Sequence, residues 1–132
     1  MLELDPYGLR NIDADTLFTT NDLVLMLQEL APLSRGVIAA GGAAALLDLA
    51  GQKVQLSVSV KGKVRVFEVA YRGSRIDKVD LIHRLNVFLE EAGVPWRYGI
   101  FDTQGPDLET ACLEQPEWDA IERDRFLPVM KT

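Results

Sequence analysis

The sequence contains very few of the side chains that fix a fold covalently or build a reaction centre. Among its 132 residues there is one cysteine, Cys112, and one histidine, His83. A single cysteine excludes an internal disulfide and a cysteine-rich zinc site, and any metal site using His83 must take its other ligands from carboxylates or from Cys112. We therefore expect no metal, no cofactor and no catalytic residue.

Long apolar runs are also missing. The longest, Gly36 to Leu47, has 12 residues, whereas a helix needs about 20 to cross a bilayer. The N-terminal MLELDPYGLR carries acids and a proline where a secretory signal has a basic start and an apolar stretch. The sequence predicts a cytoplasmic protein without membrane contact.

What is present is the composition of a globular chain, with 48% apolar and 26% charged residues. The length suits one domain, and no repeat or Pro/Ser-rich linker divides the chain. Residues 1–132 are therefore predicted to form a single α+β domain.

The charge is distributed unevenly behind a net value of −6. Residues 1–52 hold seven acids and two bases. Residues 53–84 hold three acids and eight bases, and residues 102–132 hold eight acids and three bases. A negative protein repels nucleic acid at long range and attracts cationic proteins. This distribution favours a cationic protein partner, although acidic residues also serve solubility alone.

Two helices are predicted in the first half of the chain. Several side chains that can cap a helix, in Thr19-Thr20-Asn21-Asp22, precede an apolar face that carries Leu23, Met26, Leu27 and Leu30. The alanine-rich segment 40–50 favours a second helix, while the preceding Val37 and Ile38 also suit a strand. The first 18 residues show no clear period and are interpreted as an irregular arm or a short edge strand.

Residues 53–71 form the clearest strand pair, a hairpin that turns at Lys61-Gly62. A three-residue loop would place Leu56 opposite Val66, and a two-residue loop would place it opposite Phe67. The apolar positions change phase between Val66 and Phe67, which predicts a bulge or a returning strand covered on both faces.

A strong helix follows over residues 77–92, with Asp77 at its start and Gly93 as its cap, and leads to a third strand over 96–101. The predicted order is ββαβ, packed with several helices. Two further short helices are predicted, one from Asp107 to Glu114 and one opened by Gln115-Pro116-Glu117, followed by a docked tail over 126–132.

Three features could carry chemistry, and each has a simpler interpretation that we favour. His83 falls on the wet face of the strong helix. Cys112 falls beside apolar residues and among acids, which indicates a buried, unreactive thiol. Gly41-Gly42 lacks the spacing of a nucleotide-binding loop, so close packing of small residues explains it better.

The C-terminal acids are the candidate partner-binding surface, because they flank large apolar side chains. Trp118 could anchor an interface while the acids direct a basic partner into place, although its helical spacing from Ile121 also suits the core. The candidate partner-binding residues are Asp102, Asp107, Glu109, Glu114, Glu117, Trp118 and Asp119.

The run DKVDLIHRLNVFLEEAGVPWRYGIFDTQGPDLETACL, residues 77–113, resembles small bacterial immunity proteins of contact-dependent growth inhibition and related toxin systems. The shared features are the succession Asp-Leu, Leu-Asn, Gly, an aromatic strand and Asp-Thr. The resemblance implies a cytoplasmic, non-enzymatic protein that neutralises a cognate toxin, often a nuclease, through tight one-to-one association.

The basic middle of the chain supports an alternative function. Its cations could form a ribbon that binds nucleic acid, which the net charge opposes, or could dock on the acidic ends of a second copy to give a homo-oligomer. These cations are Lys53, Lys61, Lys63, Arg65, Arg72 and Arg75. A small enzyme ranks last, because no local motif supports one.

Overall fold

The computed structural model describes residues 10–14, 17–101, 108–125 and 130–131. Its helices are α1 (Thr20–Leu30), a 3-10 helix (Ala31–Ser34), α2 (Lys78–Glu91) and α3 (Gln115–Arg125). Its strands are β1 (Arg10–Ile12), β2 (Ile38–Asp48), β3 (Lys53–Val60), β4 (Lys63–Arg72), β5 (Arg75–Ile76), β6 (Trp96–Ile100), β7 (Leu108–Glu114) and β8 (Met130–Lys131). The predicted α+β class is confirmed. In the described part of the chain, none of the helices is both long and apolar enough to span a bilayer.

The strands form two antiparallel sheets. One, which we call the hairpin sheet, has the order β2-β3-β4-β5, and the other, the terminal sheet, has the order β1-β7-β6-β8. The predicted succession of hairpin, helix and strand is present along the chain. However, β6 joins the terminal sheet, so α2 connects two sheets and does not return to the one it left.

The hairpin has the register of the two-residue loop. Leu56 pairs with Phe67, and Lys61 and Gly62 have φ angles of 50° and 85°, the left-handed geometry of a type I′ turn. The three-residue register is wrong. The phase change requires no bulge in β4, because Val64 and Val66 are 74% and 55% exposed on the outer face of the sheet.

The helix predicted over 40–50 is wrong, because these residues belong to β2. This strand pairs with β3 from Ala44↔Ser57 to Asp48↔Lys53, and its register shifts between Ala39 and Ala44. Gly41 and Gly42 lie within that irregularity, and a Cβ added to either would meet no atom within 4 Å. The interpretation of these glycines as close-packing residues is therefore also wrong.

Both long helices have the predicted ends and faces. Thr19 and Asp22 form a capping box at the start of α1, and the Asp77 side chain accepts a hydrogen bond from Asp80 N at the start of α2. Gly93 has a φ of 78°, the left-handed conformation that ends many helices. The predicted faces are buried: Leu23, Met26, Leu27 and Leu30 in α1, and Leu81, Ile82, Leu85, Phe88 and Leu89 in α2.

The C-terminal region differs from its prediction in one element. Residues 108–114 form β7 between β1 and β6, so the helix predicted there is wrong, and its proposed cap Asp107 lies outside the described residues. The helix opened by Gln115-Pro116 is confirmed. Of the predicted arm and tail, residues 10–12 form an edge strand on β7, and residues 130–131 pair with β6.

Candidate protein-binding surfaces

The predicted C-terminal acids lie along β7 and the start of α3. Glu109 is half-buried within β7, Glu114 ends that strand, and Glu117 and Asp119 lie in the first turns of α3. Asp102 and Asp107 lie outside the described residues. The structure therefore brings Glu114, Glu117 and Asp119 close to the same junction between strand and helix.

An arginine from the first half of the chain reaches this junction. Arg35 Nη1 lies 4.0 Å from Glu114 Oε2, and Arg35 Nη2 lies 3.9 Å from Glu117 Oε1. The guanidinium stacks over the Trp96 ring at 4.7 Å from its centroid, and the Trp96 indole N–H donates to Ser34 O at 2.9 Å. Arg35 thus joins the residues before β2 to the terminal sheet.

The same carboxylates also organise the start of α3. Glu117 Oε1 accepts from Glu114 N at 3.1 Å, and Asp119 Oδ1 accepts from Gln115 Nε2 at 2.7 Å. Ion pairs this exposed contribute little to stability, because water screens them. They nevertheless place one guanidinium beside the carboxylates of Glu114 and Glu117, so this cluster presents less negative potential than its sequence suggests.

Trp118 packs in the core and is 1% exposed. Its indole N–H donates to Arg97 O at 3.2 Å, and its ring lies 5.4 Å from that of Phe101. Of the two roles considered for Trp118, the structure favours core packing, and in this conformation the side chain is not available to anchor a partner.

The groups considered for catalysis do not converge. His83 is exposed on α2, whereas Cys112 is buried in β7. Burial raises the pKa of the Cys112 thiol from its ordinary value of 9.0 to about 12. Among the described residues, no group of three or more His, Cys, Asp or Glu side chains is arranged to hold a metal ion.

We expect Cys112 to resist alkylation in the native protein at neutral pH. The thiolate is the reactive form, and a raised pKa together with burial keeps the thiol protonated and out of reach. Iodoacetamide labelling followed by mass spectrometry should show stoichiometric modification only in denaturant. Rapid modification without denaturant would contradict this assignment.

Because an unfolded thiol loses its proton near pH 9 and the native one near pH 12, this group should also lower stability as the pH rises through that interval.

The basic residues of the hairpin do not form one cationic face. Lys63 and Arg65 lie opposite Val60 and Val58, on the buried side of the sheet, whereas Lys53 and Arg72 alternate with buried residues and point to the other side. Several are also engaged within the molecule: Arg65 Nη1 with Glu91 Oε2 at 2.7 Å, Lys53 Nζ with Glu68 Oε2 at 3.3 Å, and Lys61 Nζ with Ala92 O at 2.9 Å. This arrangement does not favour a nucleic-acid ribbon.

The acidic segments of the chain do not gather in one sheet. Pairing of β1 with β7, from Arg10↔Thr110 to Ile12↔Leu108, brings the start of the chain beside its C-terminal part, but β1 itself carries no acid, and β2 with Asp48 belongs to the hairpin sheet. The basic segment 53–84 supplies β3, β4 and β5 of the hairpin sheet and part of α2. Asp22 and Glu29 of the N-terminal block lie on α1, whereas the described acids of the C-terminal block lie on β7 and α3. The sequence showed the charge blocks, but not these positions.

A shallow groove, which we call the α1 groove, lies on α1 beside Asp13 and Leu17. It encloses about 360 Å³ and is lined by Asp13, Leu17, Asp22, Leu25, Met26, Gln28 and Glu29. Leu25 is 50% exposed, and Phe18, just before the helix, is 69% exposed. Sequence reasoning missed this groove, although Leu25 carried a signal: it is a large apolar residue outside the helical stripe that includes Leu23 and Met26.

The outer face of the hairpin sheet is a second exposed apolar region. Leu46, Val64 and Val66 lie there with Ser57 between them, and the ion pair of Lys53 and Glu68 lies on the same face. Arg72 also lies on this face, so its charge is not set by that ion pair alone. Comparison of the chain with protein-family models, with curated proteins and with solved structures found no match.

Proposed function

We propose that this chain is a non-enzymatic immunity protein that binds a cationic protein toxin domain and neutralises it by steric and electrostatic blocking. The observation that supports this most directly is the net charge of −6, together with carboxylates on α1 (Glu29) and at the junction of β7 and α3 (Glu114, Glu117 and Asp119). A negative surface potential attracts and orients a basic partner. The resemblance of residues 77–113 to immunity proteins supplies the class of partner.

The mechanism needs no bond to be made or broken. A basic nuclease domain carries cations where it holds its polyanionic substrate, and a negative protein surface docked there competes with that substrate. Attraction between the two proteins speeds association, and the bound domain excludes the substrate sterically. This role is compatible with the buried Cys112 and the exposed His83, neither of which it uses.

The proposal predicts that the gene directly upstream encodes a secreted protein with a basic C-terminal domain, and it is tested by co-expression of that domain with this chain. We expect the two to elute together in a one-to-one complex, and we expect co-expression to restore growth of cells that produce the domain. Independent elution of the two proteins, together with undiminished toxicity, would refute the proposal.

Location of the charge is tested by comparing two double variants with the same change in net charge. Glu109→Lys with Asp119→Lys alters the terminal sheet and α3, whereas Glu68→Lys with Glu90→Lys alters the hairpin sheet and α2. At low salt, the first should slow association by about tenfold and flatten its salt dependence, and the second should have a much smaller effect. Equal association rates for the two variants would show that the carboxylates of β7 and α3 do not steer the partner.

A further inference from the structure

The α1 groove combines an apolar floor with acidic edges. Leu17, Leu25 and Met26 supply apolar surface, while Asp13, Asp22 and Glu29 supply carboxylates. Leu17 and Met26 also belong to the core, so the floor of the groove is held rigidly. Leu25 and the neighbouring Phe18 are largely exposed, as apolar contacts for a partner must be in the free protein.

The two helical carboxylates of the groove have different roles in the free protein. Asp22 Oδ2 accepts hydrogen bonds from Phe18 N and Thr19 N, both at 3.0 Å, and so stabilises the start of α1. Glu29 lies in the last turn, where the helix dipole disfavours a negative charge and where α1 has no basic residue. Among the described residues, Glu29 has neither a hydrogen-bond nor an ion-pair partner. Its charge does not stabilise α1.

The spacing of these carboxylates defines what fits the groove. Asp22 and Glu29 are seven residues apart, which is two helical turns or about 10 Å along one face of α1. Leu25 and Met26 lie between them. A complementary segment therefore has two cationic side chains about 10 Å apart with a large apolar side chain between them.

We infer that the α1 groove is the docking site for an amphipathic cationic segment of the partner protein, with an apolar side chain against Leu25 and Met26 and an arginine or lysine on Glu29. This inference rests on the proposed function, whose partner is cationic, and it names the surface that the partner contacts. It places the main contact on α1 and not at the C-terminal acids, where Arg35 already occupies Glu114 and Glu117.

The probe is a synthetic peptide in which arginine and leucine recur at helical spacing, and its counterpart has glutamine at every arginine position. Binding is measured by isothermal titration calorimetry at low and moderate salt, first with the unaltered chain. The arginine peptide should bind, its affinity should fall with salt, and the glutamine peptide should bind more weakly.

Two variants of the chain locate the binding, each with a matched control on α2. Leu25→Gln should weaken peptide binding by about tenfold and Glu29→Gln by about threefold. The controls are Val79→Gln, also an exposed apolar helical residue, and Glu90→Gln, also an exposed carboxylate in a last helical turn; both should leave the affinity unchanged. Because all four side chains are exposed, circular dichroism melting should show that each variant folds.

The possible outcomes distinguish failure of the groove assignment from failure of the proposed function. If the upstream-encoded basic domain binds but Leu25→Gln and Glu29→Gln change its affinity no more than their controls, the groove assignment is wrong and the proposed function stands. If neither the domain nor the arginine peptide binds, both are wrong. If the unaltered chain forms a dimer that Leu25→Gln abolishes in analytical ultracentrifugation, a second copy occupies the groove and the inference is overturned.

Discussion

Replacement of Trp118 by alanine is expected to lower the free energy of unfolding by about 3–5 kcal/mol, the range for removing a buried large aromatic side chain. Trp118 is among the largest fully buried side chains, and its indole covers Gly99 of β6 and contacts Phe101. Urea unfolding followed by circular dichroism measures the loss. Phe18→Ala, an exposed aromatic residue, should change stability by less than about 0.5 kcal/mol.

The packing of Trp118 on Gly99 gives this prediction an internal check. A Cβ at position 99 would lie 2.6 Å from the indole ring, closer than two carbon atoms can approach. Gly99→Ala should therefore destabilise the unaltered protein, and should cost much less in the Trp118→Ala background, where the ring is absent. Additive losses in the two backgrounds would show that the contact is not formed.

Replacement of Asn86 by alanine is expected to lower the free energy of unfolding by about 2–4 kcal/mol, because it leaves two buried backbone groups without their hydrogen-bond partner. Asn86 Oδ1 accepts from Tyr98 N at 2.8 Å, and Asn86 Nδ2 donates to Tyr98 O at 3.0 Å. The side chain thus joins α2 to β6 as a neighbouring strand would. Urea unfolding measures the loss, with His83→Ala on the exposed face of α2 as the control.

Hydrogen exchange distinguishes this role of Asn86 from a general packing role. In Asn86→Ala, the Tyr98 amide should lose protection by more than global destabilisation predicts, while amides elsewhere in β6 follow the global value. Uniform loss of protection along β6 would mean that Asn86 acts only as a packed core residue.

The elements predicted correctly are those whose signals are local. The hairpin has strict alternation in β3 and a Lys-Gly turn, and α2 has a capping aspartate, a terminal glycine and a wide apolar stripe. No local signal distinguished the two hairpin registers. The register depends on which β4 residues face the core, and Val64 and Val66 face outward although they are apolar.

The two strands mistaken for helices lack visible alternation for different reasons. In β2, both faces carry small or apolar residues, Ala43 and Ala45 toward the core and Ala44 and Leu46 away from it, so the period of two is hidden. In β7, the interior residues Thr110, Ala111, Cys112 and Leu113 are all buried, because the strand is central and α3 packs Trp118 against the same sheet. In an alanine-rich or fully buried strand the alternation of apolar and polar residues is absent, so helix propensity alone decides the prediction.

The sign of the charge on the candidate surface was predictable from the sequence, but the position of that surface was not. Counting charges indicated two acidic regions, yet no count shows that Arg35 folds onto Glu114 and Glu117 from about eighty positions away. Nor does a sequence pattern reveal that Asp13 and Leu17 lie beside α1 to form a groove. Both features depend on contacts between distant segments, which single-sequence patterns do not report.

The pairing of β1 with β7 sets the order in which the molecule is completed. Arg10 and Thr110 are 100 positions apart, so at ordinary translation rates β1 emerges about 5–20 s before its partner strand. All four strands of the hairpin sheet lie within residues 38–76 and have been synthesised by then. The terminal sheet is therefore completed last, after every strand of the hairpin sheet has left the ribosome.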